Sequence, residues 1–286
     1  SSPLSAVGEL LKRSGNTGSL TGRVVGVDNE KVSNVQILAK VNGGSVSGYT
    51  EEDGSFSFSF PKGQIYDLSF KDVGRVTQSA AFDLKGNDSA EREIRLPSQS
   101  AVVFDIKDGK GISIPCKVQF NGSGKTKAPN LGPNNRAHGC VDQYQSERGD
   151  FRVTVPPGTY RIVVTHGIEF SHIEREITVD PGKKVDFNGV LKRVVDTTGW
   201  VSTDYHNHST PSGDNTCGTA DRVINMAAEH LEFVPTTEHN RIFDWTPTIA
   251  SLGLESFMST VPGIELTGSG AHLNAFPFKP DPKKQD

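Results

Sequence analysis

The sequence predicts a multidomain chain: two small all-β sandwiches followed by the N-terminal part of an α/β domain. Three observations predict it. Glycine (30) and proline (16) make up about a sixth of the 286 residues, above the usual share of roughly an eighth and a sign of many turns. From Ser19 onward apolar residues alternate with period two in short runs, the pattern of half-buried strands. After Gly199-Trp200 the order becomes strand, helix, strand, with histidines and carboxylates where strands end.

Composition removes several classes. With 34 acidic and 30 basic side chains the formal charge is −4, which offers no broad basic surface for nucleic acid. No apolar run approaches the ~20 residues that span a bilayer. Recurrent strand-like runs argue against disorder throughout. The chain starts Ser1-Ser2-Pro3 without a signal peptide or initiator Met, which reads as a processed or trimmed end. Three cysteines, Cys116, Cys140 and Cys217, are too few for a disulfide framework. Cys116 and Cys140 either pair in an exported protein or stay as buried free thiols.

Leu4 to Arg13 predicts one amphipathic helix. Leu4, Val7, Leu10 and Leu11 fall at helical spacing, and Lys12-Arg13 suit the C-terminal dipole. Ser14-Gly15-Asn16 stops it. Residues 1–17 are thus a packing arm. In 18–97, strands are expected at Leu20 to Val25, Val35 to Ala39, around Phe56 to Phe60, and at Tyr66 to Phe70, with Ile94 to Leu96 closing the unit. Asp53-Gly54 is a hairpin signal. Phe56, Phe58 and Phe60 alternate with serine, so their rings share one face. Leu20-Thr21-Gly22-Arg23-Val24, Val35-Gln36-Ile37 and Thr50-Glu51-Glu52-Asp53-Gly54-Ser55-Phe56 resemble the carboxypeptidase regulatory-like, transthyretin-like module. That resemblance implies a scaffold or adhesion role without catalytic residues.

Residues 98–195 predict a second sandwich. Ala101 to Ile106 and Cys116 to Phe120 flank an Asp108-Gly109 turn, and Asn121 to Gln145 is a long loop of the kind that is functional or mobile. Gly149-Asp150-Phe151 through Pro156, Gly158 and Tyr160 repeats the order of Gly54-Ser55-Phe56 through Pro61, Gly63 and Tyr66, an internal repeat. His138, His166 and His172 lack metal-type spacing and read as packing or surface residues.

Residues 196–286 carry the chemistry. Val201 to Ser209 is read as a strand whose alternation puts His206 and His208 on one face, where neutral imidazoles can grip one ion. Ser209 to Asp214 turns a carboxylate back toward that strand end. Thr219 is placed to cap a helix over Ala220–His230, with Val223, Met226 and Ala227 as its buried stripe. Phe233 to Thr237 leads to Glu238-His239-Asn240, Thr260 to Leu266 contains Glu265, and Ala271 to Phe276 contains His272. This order implies a parallel sheet, whose C-terminal strand ends are the usual place for a site. Six N/O ligands, His206, His208, Asp214, His239, Glu265 and His272, fall at successive strand ends. His230 reads as a helix-end residue and Cys217 as a bystander.

Asp204-Tyr205-His206-Asn207-His208-Ser209, Thr237-Glu238-His239-Asn240, Pro262-Gly263-Ile264-Glu265 and His272 resemble the PHP (polymerase and histidinol phosphatase) family. Leu191 to Trp200 looks like its CehA/McbA-like branch, whose members also place β-rich modules upstream. The resemblance implies a distorted (β/α)₇ barrel and a metallohydrolase with two or three divalent ions, Zn, Mn or Fe. It assigns His206 and His208 to one ion, Asp214 and His239 to a neighbour, Glu265 as a bridge and His272 as another ligand. A hydroxide held by the metals would attack a phosphorus or carbonyl centre of a small ester or carbamate, with Glu265, His206 and His208 at the catalytic centre. Glu238 departs from the family's usual Asp, at a place where the acid supports rather than ligates.

The family pattern continues with a further His and an Asp-x-His, and none follows His272. The C-terminal remainder is therefore expected as a separate chain after cleavage or as a removed segment. The alternative is a non-catalytic sandwich-based interaction or envelope protein with a residual metal site. Sandwich modules, few cysteines and the missing Met favour a bacterial periplasm or cell surface.

Overall fold

The computed structural model describes residues 2–13, 15–41, 44–268 and 270–279. Ser14 of the expected helix stop and residues 280–286 of the polar C-terminal stretch lie outside the described residues. The chain divides into two compact units, Ser1–Ala101 with Thr154–Pro157 and Val179–Lys184, and Val102–Val153 with Gly158–Thr178 and Val185–Asp286.

In the first unit, helix α1 (Pro3–Lys12) starts where Ser5 N–H donates to Ser2 Oγ at 3.2 Å. Seven strands follow: β1 (Thr17–Val25), β2 (Gln36–Val41), β3 (Gly44–Tyr49), β4 (Ser55–Pro61), β5 (Ile65–Lys71), β6 (Gln78–Asp83) and β7 (Ser89–Arg95). They form two sheets in the orders β4-β1-β7 and β3-β2-β5-β6. β1 runs antiparallel to β4 and parallel to β7. Helix α1 buries Leu4 and Gly8 but leaves Leu10 exposed, a narrower stripe than its periodicity predicts. Gly8 allows this close approach, because a Cβ there would lie 3.3 Å from the Ser59 backbone of β4.

The Asp53-Gly54 turn does not close a hairpin. β3 pairs with β2, and β4 pairs with β1, so the turn carries the chain from one sheet to the other. Gly54 has φ 78°, a left-handed conformation that L side chains resist. Its carbonyl accepts from Val24 N–H at 2.8 Å, tying the turn to β1. Phe56, Phe58 and Phe60 all point into one core with Leu20, Ile37, Leu68, Phe70 and Phe82. Phe70 sits 5.5 Å from Phe56 and 6.5 Å from Phe82, centroid to centroid.

The second sandwich comprises β8 (Ala101–Asp108), β9 (Cys116–Gly122), β10 (Gln143–Ser146), β11 (Asp150–Thr154), β12 (Gly158–Thr165), β13 (Ile173–Val179) and β14 (Lys184–Leu191). Its sheets run β11-β8-β14 and β10-β9-β12-β13. This is the strand order of the first sandwich advanced by seven, so the internal repeat extends to topology. The long loop ends in a strand, β10, which the sequence pattern did not announce. Tyr66 and Tyr160, equivalent in the repeat, are both buried. Phe104 anchors the second core against Phe187 and Phe120.

All three cysteines are free thiols, so Cys116 and Cys140 do not pair. Cys116 is buried on β9, and burial pushes its thiol far up. His138 is a surface residue paired with Glu147 at 2.7 Å. His166 is buried, and burial, followed by the neighbouring His230, holds its imidazole down to about 4.

The rest of the second unit differs from the expected parallel strands. Segments around Thr203, Phe233 and Ser259 align in parallel through single bridges, and His239 bridges Glu265 likewise. Backbone rungs persist from Val234 N–H to Ser259 O and from Thr236 N–H to Val261 O, while Pro235 and Pro262 have no N–H to donate and side chains add further rungs. Asn207 Nδ2 donates to Pro235 O at 3.0 Å, Thr237 Oγ1 donates to Asn207 O at 2.7 Å, and Thr260 Oγ1 donates to Val234 O at 2.7 Å. Helix α2 (Thr219–Ala228) buries Val223, Met226 and Ala227 as predicted. Gly218, not Thr219, occupies its N-cap, and it ends before His230, whose φ is 56°. A short α3 (Thr246–Ser251) follows. Ala271–Ala275 forms β16, which pairs antiparallel with β15 (Ile264–Gly268) rather than extending a parallel sheet. Among the described residues these elements close no barrel, and no helix is long and apolar enough to cross a membrane.

Two outcomes follow from this packing. Phe70→Ala should lower the stability of the first unit by about 3–5 kcal/mol through lost burial and a residual cavity, read by urea unfolding. The buried neutral His166 binds its proton less readily in the folded chain than in the unfolded one. Its contribution is therefore fully present at neutral pH and is lost as pH falls from about 6.5 to about 4, a change of about 3 kcal/mol. His166→Phe should remove that part of the acid slope in unfolding curves measured against pH.

Candidate metal centre

The centre is built around one carboxylate. Glu265 lies on β15, and its side chain has no solvent exposure. Three imidazole nitrogens converge on its Oε2: His206 Nε2 at 3.3 Å, His208 Nε2 at 3.2 Å and His239 Nδ1 at 3.0 Å. His272 reaches the other oxygen, with Nδ1 2.7 Å from Oε1. On the far side of His239, Nε2 stands 2.9 Å from Asp214 Oδ2. All six residues singled out by strand-end position are thus gathered in one place. They form two overlapping trios of converging ligand atoms, His206-His208-Glu265 and His208-Asp214-His239.

Local structure explains each placement. Alternation along 206–208 turns both imidazoles the same way, and their rings lie 5.0 Å apart. The 3-10 turn Thr210–Ser212, ended by Gly213 at φ 77°, reverses the chain so that Asp214 faces His239. His239 and Glu265 are bridge partners, which places the third imidazole beside the carboxylate. His272 arrives by the β15–β16 hairpin, in which it pairs with Thr267.

The donor set suits a divalent cation. Glu265 Oε2 is buried and lacks a properly directed hydrogen bond even though three nitrogens surround it. Lone pairs that meet without a proton between them are the arrangement a cation resolves. Imidazole nitrogens and carboxylate oxygens suit Zn, Mn or Fe. Burial pushes the Glu265 carboxyl up, but the adjacent histidines, His272 and His206 foremost, outweigh it and hold it below its ordinary value. Burial, then repulsion from His239, holds His208 below the usual imidazole range, which favours the neutral ligand form.

Behind the ligands lies a supporting layer, of which the sequence indicated Glu238 but not Ser209, Ser212 or Thr267. Glu238 is fully buried, accepts from Ser209 N–H at 3.0 Å, and also accepts from the hydroxyls of Ser209 and Ser212. Ser212 Oγ in turn lies 3.0 Å from His208 Nδ1 and accepts from His239 N–H at 3.1 Å. Through that one serine Glu238 supports the His208 imidazole and the His239 backbone. Thr267 Oγ1, 2.6 Å from His239 Nδ1, shares a strand face with Glu265. That two-residue spacing was the available signal.

Glu169, His230 and Glu232 form a further trio. Arg193 occupies it, with Nη1 2.6 Å from Glu169 and Nη2 2.8 Å from His230 Nε2. The guanidinium already pairs with the Glu169 carboxylate, so the cluster is an ion-pair hub. His230 is the helix-end residue its position suggests. Cys217 is buried and belongs to neither ligand trio.

No family model matches the chain, and no curated protein matches it. Among solved structures, the chain is similar to the Bacillus anthracis TIE protein, with 15% identity and a TM-score of 0.29 over 65% of this chain and 37% of that one. It is similar to a streptococcal ancillary pilin at 15% identity and a TM-score of 0.35, over 62% of each chain. It is also similar to the shaft pilin SpaA of Lactobacillus rhamnosus GG at 12% identity and a TM-score of 0.36, over 63% of this chain and 99% of that one. The chain spans less than two thirds of the length of the first two.

Replacing Glu238 with alanine strands the Ser209 amide and two hydroxyls in a buried pocket. Glu238→Ala should cost about 3 kcal/mol, measured by chemical unfolding in the presence of a chelator. A change under a few tenths would contradict the supporting role.

Proposed function

We propose that the chain carries the N-terminal part of a PHP-type metal-dependent hydrolase of the CehA/McbA-like branch, acting on a phosphoester or another small ester or carbamate. The convergence of His206, His208 and His239 on the buried, hydrogen-bond-poor Oε2 of Glu265 carries this reading. His206, His208 and Glu265 would hold one ion. Asp214 and His239 would hold a neighbour, with Glu265 shared, and His272 would be a further ligand. Bound ions would supply Lewis acidity, lowering the pKa of a water and polarising the phosphoryl or acyl oxygen.

The chain's own residues do the rest by position. Glu265 brings negative charge to the centre from a place that water does not reach, so its field is little screened. Glu238 and Ser212 fix the orientation of His208 and His239, the role usually taken by groups behind metal ligands. His206 and His272 are more than half exposed, as is Asp214. The open side of the centre, where a small substrate meets the ligands, is therefore the side these three residues line.

The direct test is metal binding by the chain as it stands. After chelation and dialysis against Mn or Zn, elemental analysis should find two ions per chain, and His206→Ala should lose at least one. Hydrolysis of bis(p-nitrophenyl) phosphate or p-nitrophenyl acetate, with the remainder of the domain supplied, should fall at least about a hundredfold in the same variant. A chain that retains no metal would sink the hydrolase reading and leave the sandwich-based structural role.

A further inference from the structure

Asp214 is the ligand least secured by the strands. It sits in the Thr210–Gly218 loop, and its side chain is largely exposed. The other ligand carboxylate, Glu265, lies on a strand and is buried. The loop that carries Asp214 is closed at its base by Thr210 N–H donating to Cys217 O at 2.9 Å. Ser212, on the near side of Asp214, ties it to Glu238 and His239, and on the far side of Asp214 the loop and the start of α2 are held by the second sandwich. Asn135 Nδ2, in the long loop between β9 and β10, donates to Thr216 O at 2.9 Å. Two residues on, Ala137 N–H donates to Asp221 Oδ1 at 2.7 Å, in the first turn of α2. Asn225 Nδ2 on α2 donates to Gln145 Oε1 at 2.6 Å. Ala137 is fully buried, so this seam is packed as well as hydrogen-bonded.

We propose that the loop between β9 and β10 of the second sandwich positions the Asp214 arm, with Asn135 as the positioning residue, and so sets the occupancy of the ion held by Asp214 and His239 more than that of the ion held by His206, His208 and Glu265. The proposal rests on the metal-centre reading above. The sandwich loop touches the Asp214 loop and the start of α2, whereas Glu265, Glu238 and their hydrogen-bond partners hold the other ligands from the strand side. Loss of an outer group that holds a ligand in place usually weakens metal binding about 10–100-fold. Here the loss falls on one of two ions.

The test is Mn and Zn titration of chelator-treated wild-type chain, Asn135→Asp and Asp214→Asn, by calorimetry with parallel elemental analysis. Asn135→Asp keeps the size of the side chain but removes the Nδ2 donor to Thr216 O. It should weaken the second ion about tenfold and leave the first unchanged. Asp214→Asn should show the same pattern in stronger form. Two unchanged affinities in Asn135→Asp, or equal loss of both ions, would overturn the positioning role while leaving the metal centre standing. Wild-type chain that binds no ion would overturn the metal-centre reading itself, and this inference with it. Asn135→Ala provides a second variant at the same half-buried position, with the same expected outcome.

Discussion

A carboxylate fully removed from water remains charged only where other charges and dipoles replace its hydration. In this chain that constraint falls on Glu265. Four imidazoles approach its two oxygens, and each comes from a different part of the last third of the sequence or from the next turn of chain. The parallel segments and the β15–β16 hairpin bring nitrogen atoms to that one side chain, and the 3-10 turn sets Asp214 against His239 behind them. Packing alone does not account for the arrangement, because an apolar residue at position 265 would fill the space without recruiting histidines.

The scaffold behind the centre is held in an uncommon way. Its strand-like segments keep some backbone rungs, while prolines at 235 and 262 have no N–H to donate. Asn207, Thr237 and Thr260 add further hydrogen bonds from their side chains. Such side-chain rungs are directional and local, so they fix individual residues instead of a whole strand. Glu238 works similarly: it is a second fully buried acid, satisfied by Ser209 and Ser212, and it steadies His208 and His239 through the latter. Two buried acids thus divide the work, one gathering ligand nitrogens and the other holding their backbones and rings.

The legible strands were mostly the central ones. β1, β2, β5, β8, β9 and β12 each pair on both sides, and their sequences alternate strongly between apolar and polar residues. β3, β6, β10, β13 and β14 escaped notice, and every one of them is an edge. An edge strand is half solvated, and charges and small residues on it protect against unwanted pairing. Ile173–Val179, with Glu174, Arg175 and Glu176 exposed in its middle, is such a case. The Asp53-Gly54 turn misled in another way. Its chemistry specifies a reversal with positive φ at glycine, but which strand receives the returning chain depends on partners far away in sequence.

Residue types and spacing alone pointed to the alternating cores, the internal repeat and the six candidate ligands, because side-chain periodicity and metal-donor chemistry are local properties. Only the tertiary structure decided that the six gather around Glu265, that Glu238 works through Ser209 and Ser212, that Arg193 enters the competing cluster, and that the second sandwich grips the Asp214 loop through Asn135. Those outcomes depend on contacts between residues as far as 81 positions apart. Such contacts leave no period in the sequence, and they form only when burial brings the segments together.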